Sequence, residues 1–197
     1  MLSNTSEISD KQDLLLLSLK EFYKQKSNIE LILPIVKQKS TKISLRLLDW
    51  LVTNYSKKYN INYDIDNNKN FSIWFDYRNQ LKAYSKRQFD PFCRRKRLFY
   101  NITTNDIISI KKDEIDKYNT NSDGFVTTVG QLNFFRWALM YRVVDYADNN
   151  INNIESHMLS SADSRKLKPS DKRRKRESYR ISNTVCKQEI RVVIQFP

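Results

Sequence analysis

The chain has 197 residues, of which 40% are hydrophobic and 12% aromatic, enough for one domain with a buried core and an appendage. Its 35 lysines and arginines outnumber its 22 aspartates and glutamates, which gives a formal net charge of +13 and a pI near 9.7. These values exclude a wholly disordered chain and favour an anionic partner, either nucleic acid or a membrane surface.

Two further properties bear on where the protein acts. No apolar run approaches the ~20 residues needed to cross a membrane, and the first ten residues are polar and acidic, unlike a signal peptide. The two cysteines, Cys93 and Cys186, lie far apart in the sequence, which is typical of reduced thiols. We therefore expect a cytosolic or nuclear setting and no membrane partner.

The first part of the chain predicts three helices after a frayed N-terminus, residues 1–9. Helices are expected over residues 10–25 and 29–37, and Pro34 weakens the second because proline kinks a helix interior. A third helix over residues 43–58 is apolar around most of its circumference and has only a narrow polar stripe. It should therefore lie in the centre of the core.

Short strands are expected in the middle of the chain. Alternating residues predict strands over 61–65 and 71–73, on either side of a turn. A third strand is expected over 98–103. The Asp-Gly pair at 123–124 is a hairpin-turn signal, which lets residues 125–127 pair with this third strand.

Two more segments complete the predicted domain. Residues 105–122 are polar and mixed in charge, as in an insertion loop or a weak helix. Thr128 should cap a helix that runs to about residue 146 and is apolar nearly all round, so we expect it in the core against the third helix. A further helix is expected over residues 151–159.

The stretch from residue 74 to residue 100 carries the main functional signal. Wound as a helix, it forms an apolar stripe from Trp74, Tyr77, Leu81 and Tyr84. A second, cationic stripe runs beside the first and consists of Arg78, Lys82 and Lys86. Pro91 should end the helix near Phe89 or Asp90, because a proline forces its predecessor out of the helical region. A cationic turn then follows, made of Arg94, Arg95, Lys96 and Arg97.

These elements predict an α+β fold with about five helices and a small sheet of short strands. One globular domain should cover residues 10–160. Residues 161–188 have almost no apolar content and should be disordered. Residues 189–197 alternate again and predict a C-terminal strand, which should pair with a sheet edge of its own domain or of a second copy, the latter giving a homo-oligomer.

Few residues point to catalysis or to a cofactor. With only two glycines, Gly124 and Gly130, the chain can contain neither a P-loop nor a dinucleotide fingerprint. His157 is the sole histidine, and with two distant cysteines it falls short of the four ligands of a structural zinc site. We expect it at the surface or at a helix end. No catalytic residue, metal or cofactor is therefore predicted.

Two groups of carboxylates could in principle hold magnesium for a nuclease. They are Asp64 with Asp66, and Asp113 with Glu114 and Asp116. The first group lies where a predicted strand ends in a turn, a place where aspartate makes local hydrogen bonds. The second lies among lysines, as in an exposed loop that neutralises its own charge. A magnesium-dependent nuclease is therefore the third hypothesis.

The basic segments are stronger signals. Five consecutive cations in the C-terminal region are dense enough for a nuclear-import signal or a phosphate-binding arm, with a solubilising tail as the alternative. They are Lys172, Arg173, Arg174, Lys175 and Arg176. Aromatic residues near the cationic turn could stack on unpaired bases if they are exposed, although burial is the commoner fate. They are Phe89, Phe92, Phe99 and Tyr100.

Three segments, residues 43–58, 81–95 and 127–138, together resemble a family of basic, largely uncharacterised proteins of nucleocytoplasmic large (giant) DNA viruses. The composition, rich in Asn, Lys and Ile, is also typical of an AT-rich viral genome. The resemblance covers roughly residues 10–160 and a basic tail. It brings no activity and no catalytic residue, but it implies a viral source and a virion or genome-associated role.

The leading hypothesis is a non-enzymatic protein that binds nucleic acid, DNA more than RNA, through phosphate contacts largely independent of sequence. It would act in genome packaging, in the virion and in the host cytoplasm (viral factory) or nucleus. The predicted binding residues are Arg78, Lys82, Lys86, Arg87, Arg94, Arg95, Lys96, Arg97, Lys172, Arg173, Arg174, Lys175 and Arg176. The alternative is a structural virion protein whose basic tail contacts a capsid or core partner.

Overall fold

The computed structural model describes residues 11–37, 42–65, 68–120 and 123–166. The helices are α1 (Lys11–Tyr23), α2 (Lys26–Val36), α3 (Leu45–Trp50), α4 (Ser56–Tyr59), α5 (Ile73–Phe89), α6 (Ile115–Asn119), α7 (Val129–Met140), α8 (Val143–Asn149) and α9 (Ile151–Lys166). The strands are β1 (Asn62–Ile65), β2 (Asn68–Ser72), β3 (Arg97–Asn101), β4 (Asp106–Ser109) and β5 (Gly124–Thr128). The α+β class is confirmed, but the chain breaks into more helices than the five expected. The segments predicted as a frayed N-terminus (residues 1–9) and a C-terminal strand (residues 189–197) lie outside the described residues, as does most of the segment predicted to be disordered (residues 161–188). The prediction of disorder is wrong for residues 161–166, because α9 continues to Lys166.

The predicted third helix is central, as expected, but it is not one regular α-helix. α3 begins after Ser44, whose Oγ accepts a hydrogen bond from the Leu47 amide at 3.1 Å. A π-helical segment, Leu51–Tyr55, then separates α3 from α4. The wider π-helical turn interrupts the regular α-helical pattern of backbone hydrogen bonds. The Thr53 hydroxyl donates a hydrogen bond to the carbonyl oxygen of Asp49 at 2.6 Å. Four side chains here are almost completely buried: Leu47, Leu48, Leu51 and Val52.

Two antiparallel sheets flank the helices. β1 pairs with β2, and β3 lies between β4 and β5. The predicted pairing of residues 125–127 with the third strand is confirmed, with Tyr100 opposite Phe125. β4 was missed, because its four residues lie in a polar stretch that was expected to be a loop or a weak helix.

Gly124 does not form the expected hairpin turn. It is the first residue of β5 and has no positive φ. A Cβ atom there would lie 2.2 Å from the carbonyl oxygen of Tyr100 and 2.4 Å from the Phe99 ring. Glycine is therefore required because β3 passes too close for any side chain, and not because the backbone turns.

The expected long helix over residues 128–146 is broken in two. Arg142 adopts a left-handed conformation (φ 52°, ψ 26°) between α7 and α8. The break frees the carbonyl of Tyr141, which accepts a hydrogen bond from the Tyr63 hydroxyl of β1 at 2.7 Å. Phe71 of β2 stacks on the Tyr141 ring with centroids 4.7 Å apart. The β1–β2 hairpin thus packs on the junction where sequence periodicity predicted an uninterrupted helix.

α7 is the main core helix. It packs chiefly against α5 and also contacts α1, while α8 contacts α3. The expected contact with the third helix therefore comes from the second half of the predicted helix. The Tyr23 hydroxyl of α1 donates to the Leu132 carbonyl of α7 at 2.7 Å, and burial raises the pKa of Tyr23.

Asp49 of α3 is a half-buried carboxyl inside this fold. Burial, followed by the negative charge of Asp90, raises its pKa to about 6. The folded state therefore favours neutral Asp49, and the stability that this provides is complete below about pH 4. It is lost as the pH rises through 6.

We expect Asp49→Asn to stabilise the protein at pH 8 by about 1–2 kcal/mol, after discounting the shift for solvent contact. Urea denaturation at pH 8 and at pH 4.5 measures this, and the gain should shrink at the lower pH. A gain of equal size at both values would show that ionisation of Asp49 is not its cause.

Candidate nucleic-acid interface

α5 ends where the sequence predicted, at Phe89 before Pro91, with Asp90 as its C-cap. Three residues of its predicted apolar stripe face inward, with Tyr77 5% exposed and Leu81 and Tyr84 packed against the core, whereas Trp74 is only half-buried. The helix is nevertheless kinked, because Ser85 has φ 64° and ψ 162°. An L residue rarely adopts this backbone conformation, and its cost must be met by the surrounding packing.

The kink corrects the predicted cationic stripe. Arg78 and Lys82 lie on the regular part of α5, but Lys86 and Arg87 follow the kink, so the three-residue stripe is not continuous. Beyond Ser85 the chain turns inward far enough to bury Phe89 completely. The Phe89 ring contacts Tyr77, with centroids 5.7 Å apart. The free energy gained by burying Phe89 thus outweighs the cost of the strained backbone at Ser85.

A concave site opens beside the kink. It is a cavity of about 460 Å³, and Arg87, Arg95 and Lys96 bring three cations to it. The other lining residues are Gln12, Ser85, Gln88 and Val129. We call this the kink cavity. Its three cations come from two segments, one from the end of α5 and two from the cationic turn. The sequence alone did not show that these segments share one cavity.

Local contacts hold these walls in place. Lys96 has a left-handed backbone (φ 51°), and its Nζ donates to Oε1 of Gln12 in α1 at 3.3 Å. Gly130 in the first turn of α7 lies against the end of α5, where a Cβ atom would come 2.7 Å from the Asp90 carbonyl. The Gln88 carbonyl accepts a hydrogen bond from Nδ2 of Asn133 at 3.0 Å. α1, α5 and α7 therefore fix the shape of the kink cavity together.

The charge in the kink cavity is not neutralised by any acidic side chain among the described residues. Ion pairs among the described residues join Lys20 to Asp106 at 2.6 Å and Lys24 to Glu21 at 3.5 Å. In that part of the chain, none of the cavity's three cations takes part in an ion pair. Three uncompensated cations around a concave surface favour an anionic ligand.

The rest of the predicted cationic turn lies outside this cavity. Arg94 is exposed but does not line it. Arg97 is half-buried, because it begins β3 and pairs with Thr128 of β5. The structure therefore brings together Arg87, Arg95 and Lys96, and separates them from Arg94 and Arg97.

A second basic surface lies on the regular part of α5. The guanidinium of Arg78 is 4.8 Å from the centroid of the Trp74 ring, and Nζ of Lys57 in α4 is 5.7 Å from it. Phe75, which follows Trp74 in the sequence, is 62% exposed. Sequence reasoning missed Lys57 and Phe75 as functional candidates, although Phe75 breaks the otherwise polar outer face of this helix.

Most aromatic residues near the cationic turn are buried. Phe89, Phe99 and Tyr100 are at most 2% exposed, so they cannot stack on bases. Phe92 is 45% exposed and remains accessible. Burial in the core, the alternative to base stacking, is therefore confirmed for three of these four aromatic residues.

One carboxylate of each predicted group and the histidine have structural partners, while Asp66 lies outside the described residues. Asp64 Oδ1 accepts a hydrogen bond from the Asn70 amide at 2.7 Å, and Glu114 Oε2 accepts one from the Lys111 amide at 3.0 Å. In the described ranges, no group of three or more histidine, cysteine or acidic side chains could hold a metal ion. His157 lies within α9 rather than at its end, and its Nδ1 accepts a hydrogen bond from the Trp50 indole at 3.1 Å.

The sequence profile of a family of unknown function, DUF7197, matches residues 3–194. The chain belongs to this family. The chain is similar to "Uncharacterized protein L507" of Acanthamoeba polyphaga mimivirus, a giant virus, with 34% identity over 187 residues. The alignment covers 92% of this chain and 65% of the relative, so the chain spans somewhat less than two thirds of that protein. No solved structure matches the chain.

These comparisons confirm the resemblance to uncharacterised proteins of giant viruses. The DUF7197 match also spans the segment containing Lys172, Arg173, Arg174, Lys175 and Arg176, which lies outside the described residues. In the described part of this DUF7197 chain, no helix is both long and apolar enough to cross a membrane.

Proposed function

We propose that this protein binds nucleic acid without catalysing a reaction, largely independently of sequence, and that it serves a giant virus in packaging its DNA genome. The observation that carries the proposal is the kink cavity, where Arg87, Arg95 and Lys96 converge and where the described residues provide them with no acidic partner. Phosphate groups are the natural ligand for such a site, because arginine and lysine donate charge-assisted hydrogen bonds to phosphate oxygens.

The basic surface extends beyond the kink cavity. Arg78 and Lys82 are exposed on α5, and one helical turn separates them by about 6 Å along the axis. Lys86 and Arg94 add exposed charge near the kink. We propose that these residues contact further phosphates, that the cations of residues 172–176 add affinity, and that the protein acts in the virion and in the host cytoplasm (viral factory) or nucleus.

Salt dependence tests the proposal directly. Binding of a 30-base-pair DNA duplex should weaken steeply between 50 and 300 mM salt, releasing roughly 0.9 counterions per phosphate contacted. An electrophoretic shift assay with and without magnesium measures both binding and cleavage. Absence of binding at the lowest salt would refute the proposal, and magnesium-dependent cleavage would establish a nuclease instead.

One observation favours a structural virion role as the second candidate. A groove of about 520 Å³ between α1, α2 and the β3–β4 turn has apolar walls formed by Ile29, Leu33 and Ile102. Lys24, Lys26 and Glu30 line the same groove, and Lys24 pairs with Glu21, so the apolar walls rather than a net positive charge suit it to a protein segment. Copurification with a virion protein after nuclease treatment, without any affinity for DNA, would favour this role.

A further inference from the structure

Phe75 is the most unusual residue on the outer face of α5. Phenylalanine is normally buried, yet 62% of this side chain is exposed, while the neighbouring Ile73 and Tyr77 are in the core. At 100° per residue, Phe75 lies about 60° from Arg78 and 20° from Lys82 around the helix. One exposed aromatic ring therefore shares a face with two cations, and neither cation has an ion-pair partner among the described residues.

Trp74 borders the same face. Its ring is half-buried and attracts two cations, the Arg78 guanidinium at 4.8 Å and the Lys57 ammonium at 5.7 Å from the centroid. Cation–π contacts of this kind hold flexible basic side chains close to an aromatic surface. They hold Arg78 and Lys57 against the Trp74 ring, next to Phe75 in the sequence, before any ligand arrives.

We propose that this face of α5 binds unpaired bases, so that the protein prefers single-stranded over duplex nucleic acid. Phe75 stacks on a base, Arg78 and Lys82 contact the phosphates on either side of it, and the strand continues toward the kink cavity. This inference rests on the proposed function and adds the class of nucleic acid. Stacking requires an accessible base face, which a duplex interior does not offer.

The composition of this face argues against a membrane surface as its ligand. A helix that lies in a membrane interface presents a broad apolar face with several large side chains. Here Phe75 is accompanied by Arg78, Asn79 and Lys82, all of them polar and exposed. An isolated aromatic ring among cations fits a stacked base better than an acyl-chain layer.

The test compares a 20-nucleotide oligo(dT) strand with the corresponding dT·dA duplex, using fluorescence anisotropy at one salt concentration. The wild-type protein should bind the single strand more tightly. Phe75→Ala should weaken single-strand binding about 5- to 150-fold, as loss of one stacked base does, and should leave duplex binding almost unchanged. Phe75→Trp should restore single-strand affinity, and Leu159→Ala is the matched control for loss of a large apolar side chain that is also 62% exposed but lies on α9.

The outcomes separate this inference from the proposed function. Equal binding of both DNA forms, with no effect of Phe75→Ala, overturns the single-strand preference and leaves phosphate-directed binding intact. No binding of either form refutes both. Phosphatidylserine vesicles provide a third arm: if Phe75→Ala abolishes vesicle binding but not DNA binding, the face is a membrane contact and the inference is wrong. Thermal melts of each variant check that the fold is retained.

Discussion

Replacing Arg87, Arg95 and Lys96 together by alanine should lower affinity for a DNA duplex by about 100- to 1000-fold at 0.1 M salt. Each lost phosphate contact removes roughly 0.9 from the slope of log affinity against log salt, so the triple variant should lose about 2.7. The structural reason is that all three cations face the kink cavity without an acidic partner in the described part of the chain. Shift assays over a series of salt concentrations give both values.

The control removes the same charge from another surface. Lys111, Lys112 and Lys117 are exposed and lie outside the kink cavity, so their replacement by alanine also lowers the net charge by three. This control variant should lose affinity only modestly and keep most of the slope. Equal losses in both triple variants would mean that net charge alone attracts DNA and that the kink cavity has no special role.

Trp137→Ala should lower the free energy of unfolding by about 3–5 kcal/mol, as truncation of a large buried side chain does. Trp137 is 3% exposed. Its ring lies 5.7 Å from those of Tyr77 and Phe89, centroid to centroid. Its indole nitrogen donates to Asp76 Oδ1 at 2.6 Å, and the truncation also removes this hydrogen bond.

Trp50→Ala is the comparison for this prediction. Trp50 is only half-buried, and its indole bonds to His157 on the surface helix α9, so its loss should cost less than the loss of Trp137. Chemical denaturation of both variants measures the difference. If the two costs are equal, the packing of the Trp50 ring on His157, with centroids 5.7 Å apart, contributes as much as the core around α7. A neutral Trp137→Ala variant would contradict the packing described here.

Sequence periodicity succeeded where burial decides the structure. The third helix and the helix after Thr128 were both assigned to the core because apolar residues surround them, and Leu51 and Phe134 are indeed completely inaccessible to solvent. The end of α5 was also predictable, because Pro91 excludes helical geometry for the residue before it. Both features depend on properties of one segment, its apolar composition or its proline, so they can be predicted from a single sequence.

The missed features depend on contacts between distant segments. No glycine or proline marks the break between α7 and α8 at Arg142. The carbonyl of Tyr141, which the break leaves free, accepts a hydrogen bond from Tyr63, 78 positions away in the sequence. The helix α5 is kinked at Ser85, and this kink allows Phe89 to be buried in the core. β4 pairs with the open edge of β3, and two of its four residues, Ile107 and Ile108, favour strands. The polar residues around this short segment concealed that signal.

The candidate site was predictable in part for the same reason. Arg87, Arg95 and Lys96 were chosen from the density of charge along the sequence, but nothing there showed that they share one cavity while Arg94 does not line it. Lys57 belongs to another helix, and only the fold brings it to Trp74. The exposure of Phe75 could have been suspected from its position opposite Tyr77 and Leu81 on a helical projection.

The scarcity of ion pairs among the described residues means that salt acts with opposite sign on folding and on binding. A chain with a formal charge of +13 repels itself in the compact state. Dissolved ions screen that repulsion and favour the folded protein, yet under the proposed function the same ions compete with DNA for the cations. A bound polyanion would screen the repulsion in their place, so on this proposal the folded form gains most stability where nucleic acid is concentrated and free salt is low.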